Sequence, residues 1–181
     1  MSAAPSSRST AVDAAGLAPL FEAAPRFLAR LVTSGPFADD EALFARARLI
    51  AHGMTEAEQL ELLDAHPRLG APPEEVSIAS YHEQGYDRPE RDRAGSSPEA
   101  AAEGARIGTE LERLNRAYEA RFGFRYCVFV NGRPRVALLP DLAAALDADR
   151  RSELRRGLDA VIDIARDRRA GRSTVGPESR P

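Results

Sequence analysis

The feature that most limits the fold of this chain is that only one segment, Tyr126 to Val130, is typical of a β-strand. This apolar, β-branched run ends in Asn131-Gly132, a pair that favours a hairpin turn. A single extended segment cannot form a sheet by itself. We therefore expect an all-α, single-domain helical bundle with one short extended segment at about 126–130.

The rest of the chain has a helical pattern. Apolar residues at spacings of three and four, interrupted by proline and glycine, predict helices at about 17–31, 40–52, 55–65, 98–121 and 151–169. Thr55 and Glu58 predict a capping box, Ser97 and Pro98 mark the start of the fourth helix, and Gly123 marks its end.

The chain of 181 residues is 43% hydrophobic and 29% charged, which fits one globular domain. Residues 1–13 and 171–181 carry little that can be buried. We expect these two segments to be disordered tails around a folded domain of residues 14–170.

Composition excludes several classes of chemistry. All 25 basic residues are arginine, so no lysine can form a Schiff base or hold pyridoxal phosphate. One cysteine, Cys127, and three dispersed histidines, His52, His66 and His82, cannot build a disulfide framework or a cysteine-rich metal site. We expect no metal, no cofactor and a cytoplasmic location.

Charge and hydropathy argue against two further classes of partner. A net charge of -3 argues against nucleic acid as a partner. No apolar stretch is long enough to cross a membrane, and the first residues lack the apolar core of a signal peptide. We expect neither nucleic acid nor a membrane as a partner.

The first group of candidate residues is Ala65-His66-Pro67-Arg68-Leu69-Gly70, at the end of the third predicted helix. Because Pro67 disfavours helical geometry at His66, the imidazole should lie at the helix C-terminus, where the helix dipole favours its protonated form. A protonated imidazole there can act as an acid. The alternative is that His66 only caps the last carbonyl groups.

The second group is Ser77 to Gly85, whose pattern predicts a short helix that ends at the glycine. Ser80, Glu83 and Gln84 share one face of this helix and suit a small polar ligand. The alternative is that Ser80 and Glu83 form a capping box. His82 is turned about 100° from Glu83, so we expect it at the surface or in a packing contact, and not in the site.

The third group is residues 114–130, a helix that runs into the extended segment. Extended backbone outside a sheet has amide groups available for a ligand. The alternative for Phe122, Phe124 and Phe129 is packing in the core. Cys127 has no adjacent base in the sequence, which favours a buried structural thiol over a nucleophile.

Taken together, these motifs resemble the 2-oxo-4-hydroxy-4-carboxy-5-ureidoimidazoline (OHCU) decarboxylase family of urate degradation. The resemblance covers roughly residues 17–169. It depends on the following residues: Leu62 to Gly70, Ser80 with Glu83 and Gln84, Leu114-Asn115, Tyr118, Arg121 to Phe124, and Ile164 with Arg168.

The resemblance implies an all-helical, homodimeric, cofactor-free enzyme that converts OHCU to (S)-allantoin and carbon dioxide. By motif match, His66 would be the catalytic acid and Glu83 its catalytic partner. The residues expected to bind the substrate are Pro67, Ser80, Gln84, Tyr126, Cys127, Val128, Phe129, Val130 and Arg168. A histidine acid, an arginine and backbone amides can orient the carboxylate and stabilise the developing anion.

The chain departs from the family pattern at Arg125, where proline is usual, at Ala71 to Pro73, and around Arg168. Arg125 lies beside the proposed amide segment, so it can change which ureido compound is accepted. Two alternative functions stay open, a non-catalytic helical regulatory or interaction domain and a decarboxylase of a related ureido or imidazolone acid.

Overall fold

A computed structural model describes residues 13–87 and 97–174 of the chain. These residues form eight α-helices, two short 3₁₀ turns (Ala18–Leu20 and Pro73–Glu75) and no β-strand. The helices are α1 (Ala14–Leu17), α2 (Pro25–Thr33), α3 (Asp40–Gly53), α4 (Glu56–Asp64), α5 (Ile78–Glu83), α6 (Pro98–Phe122), α7 (Arg135–Ala145) and α8 (Arg150–Thr174). The all-α prediction is confirmed.

Helix starts and ends follow local chemistry. Thr55 and Glu58 form the predicted capping box at the start of α4. Ser97 accepts a hydrogen bond from the backbone N–H of Ala100 at the start of α6. Gly123 ends α6 with φ 78°, a left-handed conformation that glycine adopts without steric cost.

The first predicted helix, 17–31, is wrong as a continuous element. The structure breaks it into α1, a 3₁₀ turn and α2, with Glu22 and Ala23 between them at φ 50° and 58°. Pro25 explains the break, because proline is tolerated in the first turn of a helix but not in its interior. Glu22 therefore lies in the turn between the 3₁₀ turn and α2, and not on the face of a helix.

The extended segment is present, but it does not enter a hairpin. Asn131 and Gly132 form a tight turn with φ 47° and 74°, and the N–H of Arg133 donates to the carbonyl of Val130. The turn leads into α7, a helix that the sequence pattern did not reveal. The segment 126–130 is therefore unpaired extended backbone between two helices.

One hydrophobic core joins the helices. Helix α8 packs against α3 and α4, α2 packs against α3, and α6 packs against α7. The fully buried residues of this core include Tyr118 and Phe124. Helix α8 continues to Thr174, past its predicted end, while the other residues of the expected tails, 1–12 and 175–181, lie outside the described residues. No described helix is long and apolar enough to cross a membrane.

Candidate active site

His66 lies two residues beyond α4, and its side chain is buried. Its Nδ1 is 3.1 Å from the carbonyl oxygen of Leu62. Because a carbonyl only accepts, Nδ1 carries the hydrogen and the neutral ring has its bare nitrogen at Nε2. Nε2 is buried and has no hydrogen-bond partner among the described residues. The imidazole therefore offers an unused acceptor inside the protein.

Arg125 holds the backbone around His66. Its Nη1 donates to the carbonyl oxygens of Asp64 and His66, at 2.8 Å each, and its backbone N–H donates to the Asp64 carboxylate at 3.1 Å. These bonds satisfy carbonyl groups that the end of α4 leaves unpaired. Arg125 thus binds the loop that carries His66, and no contact with the extended segment is needed to explain why arginine occupies this position.

Helix α6 and Gln84, which follows α5, hold the loop after His66 in place. Gly70 has φ 82°, and a Cβ atom there would lie 2.8 Å from Leu111 Cδ1. The backbone N–H of Gly70 donates to Gln84 Oε1 at 2.8 Å, while Gln84 Nε2 donates to the carbonyl of Arg68 at 3.3 Å. Asn115 Nδ2 donates to the carbonyl of Leu69 at 3.0 Å. The side chain of Gln84 therefore positions this loop.

Ser80 lies inside α5 and is 1% exposed. Its hydroxyl donates to Glu22 Oε1 at 2.7 Å and accepts from Arg168 Nη2 at 2.8 Å. Ser77, and not Ser80, caps the helix. The alternative interpretation of Ser80 and Glu83 as a capping box is therefore wrong, since the Ser80 hydroxyl bonds to distant side chains.

Arg168 reaches this region from α8, and its side chain is only 5% exposed. Its Nη2 lies 2.9 Å from Glu22 Oε1, and its Nη1 donates to the carbonyls of Pro19 and Leu20. Its Nε is buried and has no hydrogen-bond partner in the described ranges. Four contacts thus engage both terminal nitrogens of the guanidinium group within the protein.

Glu83 ends α5, and its side chain is 10% exposed. One carboxylate oxygen lies 3.4 Å from the backbone nitrogen of Val130, and the other lies 3.9 Å from Arg168 Nη2. The carboxyl group therefore lies between the extended segment and the guanidinium group, with weak contacts to both.

The extended segment is held by arginines. Arg156 Nη1 donates to the carbonyl of Cys127 at 2.8 Å, and its guanidinium group lies 4.5 Å from the centre of the Tyr126 ring. Arg133 donates to the carbonyls of Phe129 and Val130. The backbone N–H groups of residues 126–129 donate to no acceptor in the described part of the chain. The segment thus presents amide donors.

A small cavity of about 20 Å³ brings the motifs together, room for about one water molecule. An open recess of about 1090 Å³ lies next to it, and Glu83 lines both spaces. Glu22 and Arg168 line the recess. The small cavity is lined by His66, Pro67, Leu69, Ser80, Glu83, Gln84, Tyr126, Cys127, Val128, Val130 and Ile164.

The protonation state of His66 differs from the one expected from the sequence. Burial, and then the charge of Arg168, lower the pKa of His66 well below its ordinary value of 6.5. The expectation that the helix dipole keeps the imidazole protonated is therefore wrong, because loss of hydration outweighs the dipole. The resting state at neutral pH is the neutral ring.

The pKa of Glu83 is shifted in the opposite direction, upward. Burial raises the pKa of Glu83 from its ordinary 4.5 to about 7, although the charge of Arg168 opposes this. A carboxyl group with such a pKa carries its proton for a substantial fraction of the time at neutral pH. Glu83 is thus the group that can donate a proton, and His66 Nε2 is the group that can accept one.

Most predicted substrate residues lie together, but Phe129 does not line the cavity and is partly exposed. Burial raises the pKa of Cys127 to about 12, which agrees with a structural thiol. His82 is exposed, as expected, and pairs with Asp87 at 2.7 Å. No group of three or more possible metal-binding side chains is found in the residues that the structure describes.

Glu22 and Arg156 are two residues of the site that the sequence patterns did not indicate. Pro25 was the available signal for Glu22, because it requires a new helix start and hence a turn just before it. Glu22 and Ser80 are 58 residues apart, so no local pattern connects them. For Arg156, which lies on the predicted last helix, nothing in the sequence indicates its contact with Cys127.

The sequence matches one known protein family over most of its length. The sequence profile of OHCU decarboxylase matches residues 6–170. The 2-oxo-4-hydroxy-4-carboxy-5-ureidoimidazoline decarboxylase of Haloferax volcanii is 28% identical over 165 residues, 89% of this chain and 88% of that protein.

Solved structures show the same fold. A crystal structure of OHCU decarboxylase in the presence of (S)-allantoin matches with a TM-score of 0.61 and 21% identity, over 84% of this chain and 93% of that chain. A crystal structure of (S)-allantoin synthase matches with a TM-score of 0.57 and 20% identity, over 84% of this chain but 46% of that longer chain. The family resemblance of the sequence motifs is confirmed, and this chain belongs to the OHCU decarboxylase family, a family of carboxy-lyases.

Proposed function

We propose that this protein converts OHCU to (S)-allantoin and carbon dioxide in urate degradation, with His66 and Glu83 as its catalytic residues. The observation that carries the proposal is the pair of oppositely tuned groups on one cavity, a neutral imidazole with a bare Nε2 and a buried carboxyl group that holds a proton near neutral pH. Pairs of groups whose environments separate their pKa values mark acid and base roles.

The reaction requires such a pair. When carbon dioxide leaves, the bonding electron pair moves into the neighbouring ring C=N bond. The product then needs one proton on the ureido-bearing ring carbon and one on the ring nitrogen. The hydroxyl group releases one of these protons as it becomes a carbonyl group, and the protein must supply the other.

The role of each catalytic residue follows from its protonation state before the reaction. His66 Nε2 accepts the hydroxyl proton and passes it to the ring nitrogen, while Glu83 donates its proton to one face of the ureido-bearing carbon. Delivery to one face gives a single enantiomer. Glu83 then regains a proton from solvent through the recess that it lines.

Substrate binding uses the space around these two groups. The cavity beside His66 holds only about one water molecule, so the body of the substrate occupies the recess and its reacting end faces Glu83. Pro67, Val128 and Val130 supply the apolar walls of the inner cavity. The amide groups of residues 126–129 are donors for the oxygen that becomes charged as the reaction proceeds.

The test adds purified protein to freshly generated OHCU and follows the optical activity of the allantoin formed. We expect accelerated formation of (S)-allantoin, undiminished after exhaustive treatment with EDTA. Racemic product at the uncatalysed rate would leave the non-catalytic helical domain as the better account. Turnover of a related ureido acid in place of OHCU would favour the alternative substrate, and loss of activity in EDTA with recovery in zinc would contradict cofactor-free catalysis.

We further propose that the enzyme is a cytoplasmic homodimer that acts on this small molecule without nucleic acid or membrane partners. The support for dimerisation is the family resemblance. Light scattering at micromolar concentration should give twice the mass of the 19.6 kDa chain. A monomeric mass that persists as the concentration rises would contradict the dimer.

A further inference from the structure

Glu22 has no role in the mechanism above, yet it is the most densely bonded carboxylate of the site. A single oxygen, Oε1, accepts from Ser77 Oγ at 2.7 Å, from Ser80 Oγ at 2.7 Å and from Arg168 Nη2 at 2.9 Å. The side chain is only 13% exposed. These donors come from two helix-bearing regions far apart in sequence, so Glu22 joins α5 to α8.

The backbone at this position is also unusual. Glu22 and Ala23 are consecutive non-glycine residues in the left-handed region, at φ 50° and 58°. Such residues persist only where the surrounding structure fixes them, and they concentrate at functional sites. The hydrogen bond from the N–H of Ala23 to the carbonyl of Ala18, at 2.9 Å, closes the turn that presents the carboxylate.

Glu22 determines what Arg168 can do. The guanidinium group would otherwise be the strongest cation beside Glu83, and a substrate carboxylate would pair with it. Such a pair would stabilise the substrate more than the transition state, because the carboxylate loses its charge as carbon dioxide forms. The Glu22 carboxylate cancels the guanidinium charge and occupies Nη2.

We propose that Glu22 is a positioning residue of the decarboxylase site, where its carboxylate binds Arg168 and Ser80 in one cluster and keeps the guanidinium group from pairing with the substrate carboxylate. This inference rests on the proposed function for its kinetic consequences. Its electrostatic consequences hold for the free protein.

The charge of Glu22 also acts on both catalytic groups. Burial alone would raise the pKa of Glu22, but the hydrogen bond from Ser80 and the charge of Arg168 outweigh burial and hold it below its ordinary value. The resulting anion favours the protonated forms of both His66 and Glu83.

Other charged groups act on the same two residues. Besides Glu22, Glu83 faces Arg168 and Asp167 from α8 and interacts with Cys127 of the extended segment. His66 is under the influence of Arg168, Glu22 and Arg125. Of the carboxylates named here, Glu22 favours the protonated form of both residues, so removal of its negative charge should lower both pKa values.

The variant Glu22→Gln keeps the shape and the acceptor oxygen but removes the charge. We expect the alkaline limb of the kcat profile to move by about one pH unit toward acid, since Glu83 loses its proton earlier. We also expect KM and kcat to fall together, because the freed guanidinium group binds the substrate carboxylate in the ground state. Glu61→Gln is the matched control, since Glu61 also pairs with an arginine, Arg26, at 2.9 Å, and its profile should stay parental.

A carboxyl and imidazole NMR titration of the free protein provides a readout that does not depend on turnover. In the parent, Glu22 should be ionised at about pH 5 while Glu83 still carries its proton. In Glu22→Gln, both Glu83 and His66 should titrate at lower pH than in the parent. A protonated Glu22 in the parent at about pH 5, or unchanged titrations in the variant, would overturn the inference.

The experiments distinguish failure of the proposed function from failure of the proposed role of Glu22. An inactive parent with the expected NMR shifts contradicts the proposed function but supports the role of Glu22 in the charge balance of the site. An active parent whose Glu22→Gln variant loses rate equally at every pH, with KM unchanged or raised, shows a purely structural role. Glu22→Asp retains the charge, so its alkaline limb should stay close to that of the parent.

Discussion

Replacing Glu83 by glutamine should stabilise the protein at alkaline pH while it removes activity. The pKa of Glu83 rises from 4.5 to about 7 on folding, chiefly through burial. The folded state therefore binds more protons than the unfolded state between these values, and stability is lost as pH rises through this window. At about 1.4 kcal/mol per tenfold change in ionisation constant, the ionised side chain costs about 3 kcal/mol above pH 7 and nothing below pH 4.5.

Glutamine has nearly the same shape and cannot ionise, and its amide oxygen can still accept from the N–H of Val130. Thermal and urea denaturation of parent and Glu83→Gln, at about pH 5 and about pH 8, measure the effect. We expect a gain of about 2 to 3 kcal/mol at pH 8, or roughly 5 to 10 °C in Tm for a chain of this size, and a much smaller gain at pH 5. Equal stability changes at both pH values would refute the buried-carboxyl argument, and Glu61→Gln serves as the control at a partly exposed carboxylate outside the site.

Three further substitutions test other parts of the site. His66→Asn should lower kcat by roughly 100- to 10,000-fold with Tm within a few degrees of the parent, since a positioned proton-transfer group is worth about 3 to 5 kcal/mol, and near-parental turnover would rule out the proposed role. Arg125→Ala should cost about 1 to 2 kcal/mol of stability in urea titrations, because two carbonyl acceptors near His66 lose their charged donor; no loss would mean that water replaces it. Gly70→Ala should cost about 1 to 2 kcal/mol from the left-handed conformation alone and should also lower kcat, as measured by denaturation and initial rates, whereas an unchanged protein would contradict the steric argument.

The helices that the sequence predicted well are those whose ends carry their own signals. α4 begins at a capping box and α6 is bracketed by Ser97 and Gly123, so local chemistry alone marks their boundaries. α7 was missed because it contains Pro140 and because exposed apolar residues, such as Val136, lie beside its single buried stripe of Leu138, Leu142 and Ala145, which obscures the periodic pattern.

The site was predicted as a set of residues but not as a set of protonation states. Motif order identified His66, Ser80 and Glu83, which the structure brings to one cavity. Their ionisation depends on burial by segments far away in sequence, and a local helix-dipole argument gave the wrong sign for His66. Glu22 was missed for the same reason, since its partners are set by tertiary packing.

The segments that surround the cavity are held by guanidinium groups bound to backbone carbonyls, from Arg125 at the His66 loop, Arg156 at Cys127 and Arg168 at the turn before Glu22. A guanidinium group stays charged at every pH at which a protein of this kind is folded. A change of pH therefore does not break these arginine–carbonyl hydrogen bonds. It acts on the reaction through the ionisable groups that the arginines hold in place. Kinetic pH profiles of this enzyme should consequently report proton occupancy at the reacting groups and not a change in the shape of the site.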